Sequence, residues 1–370
     1  MTIRLSKCSI SETEINAVTR VLKAEYLGMG TVVADFELAI KNSLKTNMEV
    51  VCVNSGTAAL HLSLSALGIK SGDEVLVPSL TYVASFQAIS ATGATAVPCD
   101  VNPETIFIDL DDAEKKITIN TKAIMPVHYA SSPKGMVDVY KLAKKYNLRV
   151  IEDAAQSFGS ESNGKKVGVE GDIVCFSFDG IKNITSGEGG AILSSDQGFI
   201  RRVQDARLLG VERDTEKRFK SLRSWDFDVV EQGFRYHMSN IMAAIGIEQI
   251  ARLDDFKKRR QYIVKTYIKM LSSIKEVTIL AFDYEHIMPH IFVLKVEHRN
   301  ELRGFLEQND IESGIHYKPN HMLTKYIGSG ALPISEALYS QLISLPCHYD
   351  LSDEDLYFVC NKMQEFYVNA

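Results

Sequence analysis

Three short segments hold residues whose types and spacing could do chemistry. In the first, Lys182 stands between an apolar run (173–178) and a glycine-rich turn, Ser186-Gly187-Glu188-Gly189-Gly190. A lysine at the end of a buried strand loses part of its solvation, which favours the neutral, nucleophilic amine. An ordinary surface lysine is the plainer alternative. In the second, Glu152-Asp153-Ala154-Ala155-Gln156 follows the apolar run 149–151. A carboxylate there costs several kcal/mol unless a cation answers it, so it needs a salt bridge, a helix to cap, or a charged ligand. In the third, Asn54-Ser55-Gly56-Thr57 joins a strand pattern to a helix pattern that begins with Thr57. Free N–H groups and a hydroxyl at a helix start suit a phosphate, though they also describe an ordinary capped helix. No G-x-G-x-x-G follows a strand and no P-loop motif is present, so dinucleotide and nucleoside-triphosphate sites lack support.

The elements that must position these segments can be read from hydropathy. Apolar runs at 50–53, 74–77, 94–98, 123–127, 149–151, 173–178 and 191–194 alternate with helical or loop stretches, 57–67 and 137–147 among the helices. Such runs predict an α/β fold with a mostly parallel seven-stranded sheet flanked by helices. Ligands of such sheets bind at the carboxyl ends of the strands, where all three segments lie. Ser11 and Glu14 have capping-box spacing ahead of Ile15, Val18 and Leu22, so a helix is expected over 11–23. Past about residue 250 the rhythm changes. A long charged helix is expected over 240–273, then a smaller C-terminal α+β domain with strands at 292–296 and 315–317 and a helix at 299–308. The boundary is placed near 250, giving a large domain over 1–250 and a small one over 251–370, without a flexible linker.

The chain has 370 residues, 45% hydrophobic and 24% charged, which excludes wholesale disorder. Forty-one Lys and Arg against 47 Asp and Glu give a net charge of −6, a poor field for nucleic acid. No apolar stretch approaches 18 residues, so no membrane span is expected. The six cysteines include no CxxC pair, and the opening residues hold no apolar signal core; reduced thiols and a cytoplasmic protein are expected.

A phosphate cradle, a carboxylate wanting a cation and a strand-end lysine together match what pyridoxal 5′-phosphate (PLP) requires. The lysine forms the Schiff base, and the carboxylate pairs with the protonated pyridine nitrogen. An aromatic ring should cover the cofactor, and Tyr82, in Pro78-Ser79-Leu80-Thr81-Tyr82, is placed to do so.

In order, the segments SGTAALHL, GDEVLVPSLTYVAS, PVHYA, VIEDAAQSFGS, GDIVCFSF, GEGGAIL and GFRYHMSNIMAAIG make the chain resemble the DegT/DnrJ/StrS sugar-nucleotide aminotransferases from about residue 12 onward. The resemblance implies the aspartate-aminotransferase fold (fold type I), PLP, and a homodimer with shared active sites. By position it implies that Lys182 carries the Schiff base, Asp153 contacts the pyridine nitrogen and Gln156 the ring oxygen. Gly56, Thr57 and Ser177 would hold the phosphate, and Tyr82 would stack. His316, Tyr317 and His321 match a segment near the substrate pyrophosphate. The chain departs from the family at Asp179, often His, and at Gly233-Phe234-Arg235-Tyr236-His237, often Gly-Tyr-Asn-Tyr-Arg. The family's Asn reaches the neighbouring subunit's phosphate, a place Arg235 would take here. A branch of dehydratases carries His in place of the lysine, so Lys182 implies transamination.

The implied reaction moves an amino group from L-glutamate to a nucleotide-linked keto-sugar, for lipopolysaccharide, O-antigen or antibiotic sugars. Pro126-Val127-His128-Tyr129-Ala130 resembles the form in several 4-keto-6-deoxyhexose enzymes, which favours a 4-amino-4,6-dideoxyhexose, with dTDP ahead of GDP or UDP as carrier. A GDP-linked, perosamine-type enzyme and a 3-keto-sugar enzyme are the alternatives within the family. Outside it stand an amino-acid lyase of the same fold, which would need an arginine for the α-carboxylate, and a non-catalytic PLP-binding regulator, which would need a further domain.

Overall fold

The computed structural model describes residues 2–223, 225–328 and 330–369. All seven expected runs form strands of one sheet: β1 Glu49–Val53, β2 Glu74–Pro78, β3 Thr95–Cys99, β4 Thr121–Ile124, β5 Arg149–Asp153, β8 Ile173–Ser177 and β9 Gly190–Ser194. Between β5 and β8 lies a small hairpin, β6 Glu161–Ser162 and β7 Lys165–Lys166. The sheet order is β1-β9-β8-β5-β4-β2-β3, with β9 alone reversed. The other six strands end at one edge, and the three chemical segments share it.

Alternation along the strands serves both faces. Val51, Val53, Val75, Val77, Ile151 and Cys175 pack with the helices Gly56–Ala66, Val83–Ala91 and Gln197–Ala206. Val50, Cys52, Val174 and Phe176 pack on the other face with the helices Thr31–Leu44 and Asn240–Ala251. Leu76, Ile124 and Val150 continue that second face against the helix Met136–Tyr146. The pattern is that of a sheet removed from water on both sides.

The capping box forms: the Glu14 carboxylate accepts from the Ser11 N–H at 2.8 Å, ahead of the helix Glu12–Lys23. Two expectations are corrected. The long helix over 240–273 is two helices, Asn240–Ala251 and Leu253–Leu271, interrupted at Arg252, whose φ and ψ of −100° and 4° leave the α region. The Arg252 guanidinium there bonds Ser9 and Glu14. Residues 315–317 are not a strand. The small sheet instead orders β10 Val277–Ile279, β11 Phe292–Val296 and β12 Leu342–Leu345, and Gly314 touches β12 by a single bridge. The expected helix at 299–308 is Arg299–Gln308. This C-terminal part has its own apolar cluster, which also takes in Ile3, Leu80 and Tyr129. Among the described residues no helix is long and apolar enough to cross a membrane.

Candidate active site

The turn after β1 comes first. The helix Gly56–Ala66 starts one residue earlier than expected and is capped by Ser55, two residues before Thr57: the Ser55 Oγ accepts from the Ala58 N–H at 3.0 Å. Gly56 opens the helix and Thr57 is exposed beside it. A Cβ on Gly56 would come within 2.7 Å of the Ser177 Cβ, so only glycine lets the turn approach the end of β8 this closely. The result is a small cradle of a helix start and the Ser177 hydroxyl, with the charge preference of a phosphate site.

At the end of β5 the two carboxylates part company. Glu152 faces the helix Met136–Tyr146, where it accepts from the Tyr140 hydroxyl at 2.6 Å and lies 3.1 Å from His128 Nε2. Asp153 faces the other way, as strand alternation requires. Its Oδ2 accepts from the Ser85 hydroxyl at 2.7 Å and its Oδ1 from the Ala155 N–H at 3.3 Å. Burial raises its pKa, against the opposing pull of these donors and of the Lys182 and His128 charges. Among the described residues no cation forms an ion pair with it.

Lys182 sits in the turn after β8. Asp179 shapes that turn, its Oδ1 accepting from the Ile181 N–H at 3.1 Å and its carbonyl from the Lys182 N–H. This gives the departure at position 179 a local use. Asn183 pins the loop by donating to the Phe158 and Met288 carbonyls. Burial lowers the Lys182 pKa, while Asp153 and Asp179 raise it. Its Nζ lies 3.5 Å from His290 Nε2.

Gln156 is buried, with Oε1 accepting from the Ala130 N–H at 2.8 Å and Nε2 donating to the Tyr317 hydroxyl at 2.9 Å. Tyr82 is 57% exposed, its ring 5.7 Å from that of Tyr317, and so lies open over the site. His316 pairs with the Ser344 hydroxyl at 2.7 Å, and burial first, then the Lys182 charge, lower its pKa to about 4. The Tyr129 hydroxyl donates to the His316 carbonyl. His321 is used on both ring nitrogens, toward the Ser79 hydroxyl at 2.7 Å and Glu336 at 3.1 Å. Together with Asn320, which donates to the Ser79 and Thr81 carbonyls, it braces the loop that carries Tyr82. Arg235 stands apart from this group. It is exposed, and its carbonyl accepts from Asn54 at 3.4 Å.

Three contributors escape a sequence reading. Ser85, in the first turn of the helix Val83–Ala91, holds Asp153; the serine after Tyr82-Val83-Ala84 was a weak signal for it. Ser131 accepts from the His290 N–H at 2.9 Å and donates to the Gln156 carbonyl. His290 itself comes from the C-terminal part, and nothing in its local sequence points to Lys182.

PLP fits this arrangement. A close-approach glycine leaves a cradle for a phosphate, Asp153 is a buried carboxylate with no ion pair among the described residues, and Lys182 is an amine whose neutral form burial favours. A large cleft of about 940 Å³ also exists, but it lies on the Glu152 side of the sheet, between the helix Met136–Tyr146, the β6–β7 hairpin and residues 281–287, and takes in none of the cradle residues.

Comparison with known proteins agrees with this chemistry. The GDP-perosamine synthase of Escherichia coli O157:H7 is 41% identical over 318 residues, 85% of each chain. A Streptococcus pneumoniae protein solved in its PLP form superposes with a TM-score of 0.91 at 29% identity, over 100% of this chain and 99% of that one. The Helicobacter pylori aminotransferase PseC, involved in the biosynthesis of pseudoaminic acid, superposes with a TM-score of 0.92 at 25% identity, over 100% of both chains. The model of the DegT/DnrJ/EryC1/StrS aminotransferase family matches residues 8–364. The chain therefore belongs to the DegT/DnrJ/EryC1/StrS family, and it is a PLP-dependent aminotransferase of the sugar-nucleotide class.

Proposed function

We propose that this enzyme transfers an amino group from L-glutamate to C-4 of a 4-keto-6-deoxyhexose carried by GDP. The observation that carries the chemistry is the half-buried Lys182 amine and the buried Asp153 carboxylate, which pairs with no cation among the described residues, at the end of one sheet. When bound, PLP supplies a carbonyl for amines and an electron sink. Lys182 holds the cofactor through Nζ and, once released by the donor, is the base that carries the proton from the donor carbon. Asp153 keeps the pyridine nitrogen protonated, and Ser85 keeps the carboxylate aimed. Gly56, Thr57 and Ser177 hold the phosphate, Gln156 meets the ring oxygen, and Tyr82 covers the ring. His316 and Tyr317 flank the substrate side, and His321 braces the loop that carries Tyr82.

The 41% match to a GDP-perosamine synthase supports the GDP carrier over dTDP. The Pro126–Ala130 segment supports C-4 with either carrier, so a dTDP-linked substrate is the second reading. Incubation with PLP, glutamate and GDP-, dTDP- and UDP-linked 4-keto sugars, with a 3-keto sugar beside them, tests both. The product is identified by mass spectrometry and NMR. Fastest conversion of the GDP sugar is expected. Preference for dTDP would replace the carrier, and amination of the 3-keto sugar alone would overturn the C-4 assignment.

A cytoplasmic homodimer with shared sites belongs to the same proposal, as does a division of the chain near residue 250. In the single chain, Trp225 is 86% exposed, next to exposed Leu222, Phe227, Val229 and Val230. An apolar patch of this kind calls for a covering partner, here a second copy of the chain. Arg235, exposed nearby, would then reach the neighbour's phosphate.

A further inference from the structure

His290 is placed with unusual care for a residue outside the motifs. It precedes β11 and is 3% exposed. Its N–H donates to the Ser131 hydroxyl at 2.9 Å, and its carbonyl accepts from Arg260 at 3.1 Å. The Arg260 guanidinium is itself buried and also serves the carbonyls of Pro289 and Cys347. The backbone is thus held from the short turn Tyr129–Ser131 after β4 on one side and from the helix Leu253–Leu271 on the other. The ring has little freedom, and its Nε2 lies 3.5 Å from Lys182 Nζ, while Nδ1 has no partner among the described residues.

We propose that His290 is a positioning residue: its neutral imidazole accepts a hydrogen bond from Lys182 Nζ, and the pair holds one proton, kept on the lysine. The inference rests on the reading of Lys182 as the cofactor-bearing residue. Two cations cannot share this space cheaply, and the surroundings decide which group stays neutral. Burial, then Lys182, Arg260 and His316, disfavour a charged His290. Burial lowers the Lys182 pKa as well, but Asp153 and Asp179 act on it in the opposite direction and favour its charge, a pull that His290 lacks. A neutral ring nitrogen at this distance therefore steadies the ammonium and orients the amine after it leaves the cofactor. The C-terminal part of the chain supplies this group, so that part helps to set the basicity of a lysine carried by the large sheet.

The test compares His290→Gln, which keeps a hydrogen-bond acceptor, with His290→Met, of similar size but without one. The full-length protein is freed of cofactor, and acetylation of Lys182 by acetic anhydride is followed against pH by peptide mass spectrometry. Loss of the acceptor removes a bond to the charged form, so the Lys182 midpoint should fall by about one pH unit in His290→Met, a tenfold more reactive amine below the midpoint. His290→Gln should restore most of that shift. Equal midpoints in wild type and both variants would overturn the proposal. If His290→Met does not fold, the reciprocal measurement decides. The ¹⁵N titration of His290 should move to higher pH in Lys182→Met than in wild type, and an unmoved titration would refute the pairing. Borohydride fixation of PLP on another lysine would remove the cofactor reading but leave both titrations interpretable.

Discussion

Arg207 and Glu37 form a buried ion pair at 2.6 Å, whereas Lys182 and Asp153, at the end of the same sheet, influence each other's charge without forming one. The first pair is closed. Arg207 also donates to the Cys52 carbonyl at 2.7 Å, and Glu37 accepts from the Cys52 N–H at 2.8 Å, so both charges are consumed in tying two helices to β1. The second pair is open, with a hydroxyl and a backbone amide on Asp153 and a neutral imidazole beside Lys182. Holding ionisable groups away from water without a directly paired counter-charge is costly, so a site that leaves both groups this way suits a ligand that supplies the missing partners. Closed pairs should therefore govern stability, and open ones activity.

Lys182→Ala should give the largest effect, a folded protein with no measurable transamination, checked by circular dichroism and by a coupled assay for 2-oxoglutarate. Loss of folding would make Lys182 structural and break the contrast. Asp153→Asn keeps the shape but not the charge. A loss of about 3–5 kcal/mol of transition-state stabilisation, or roughly two to four powers of ten in rate, is expected in single-turnover kinetics, with the thermal midpoint near wild type. Near-normal turnover would show that the carboxylate has another task.

On the closed side, Arg207→Met strands Glu37 without a counter-charge. Denaturant unfolding should record a loss of about 3–5 kcal/mol, and the double change with Glu37→Gln should recover part of it. A stable Arg207→Met protein would mean that the pair is not what holds β1. Glu14 gives a smaller, pH-dependent version of the same test. Burial would raise its pKa, but hydrogen bonds from Ser11, Arg252 and Gln249 outweigh that and lower it from the ordinary 4.5 to about 2. Because the folded value is depressed, Glu14 contributes fully above about pH 4.5 and loses its contribution as the pH falls toward 2. Glu14→Gln should lower stability at pH 7 and flatten its fall across that window. Parallel curves for variant and wild type would assign the acid sensitivity elsewhere.

Much of this was legible in one dimension. Short apolar runs at regular spacing read as buried parallel strands because two covered faces need continuous apolar character. The chemistry at the ends of β1, β5 and β8 followed from the rule that such strands present their carboxyl ends to ligands. Alternation along β5 puts Asp153 and Glu152 on opposite faces, a separation that strand geometry alone requires. The errors were local: Ser55 rather than Thr57 caps its helix because its backbone is extended where the first free N–H groups point. The break at Arg252 has no glycine or proline beside it to announce it; the run's one glycine, Gly246, lies six residues earlier inside the first helix.

Strand periodicity and strand-end placement, which are properties of neighbouring residues, are enough to bring Lys182, Asp153 and the Gly56 turn forward as candidates. Tertiary packing set which charges stay unpaired and which are neutralised. It set Arg260, part of a charged helical run, deep against the Pro289, His290 and Cys347 carbonyls. It also brought His290 to Lys182 across 108 residues, and Ser85 to Asp153 across 68. Electrostatics in a low-dielectric interior depends on distance in space, and no local pattern encodes contacts between segments so far apart in the chain.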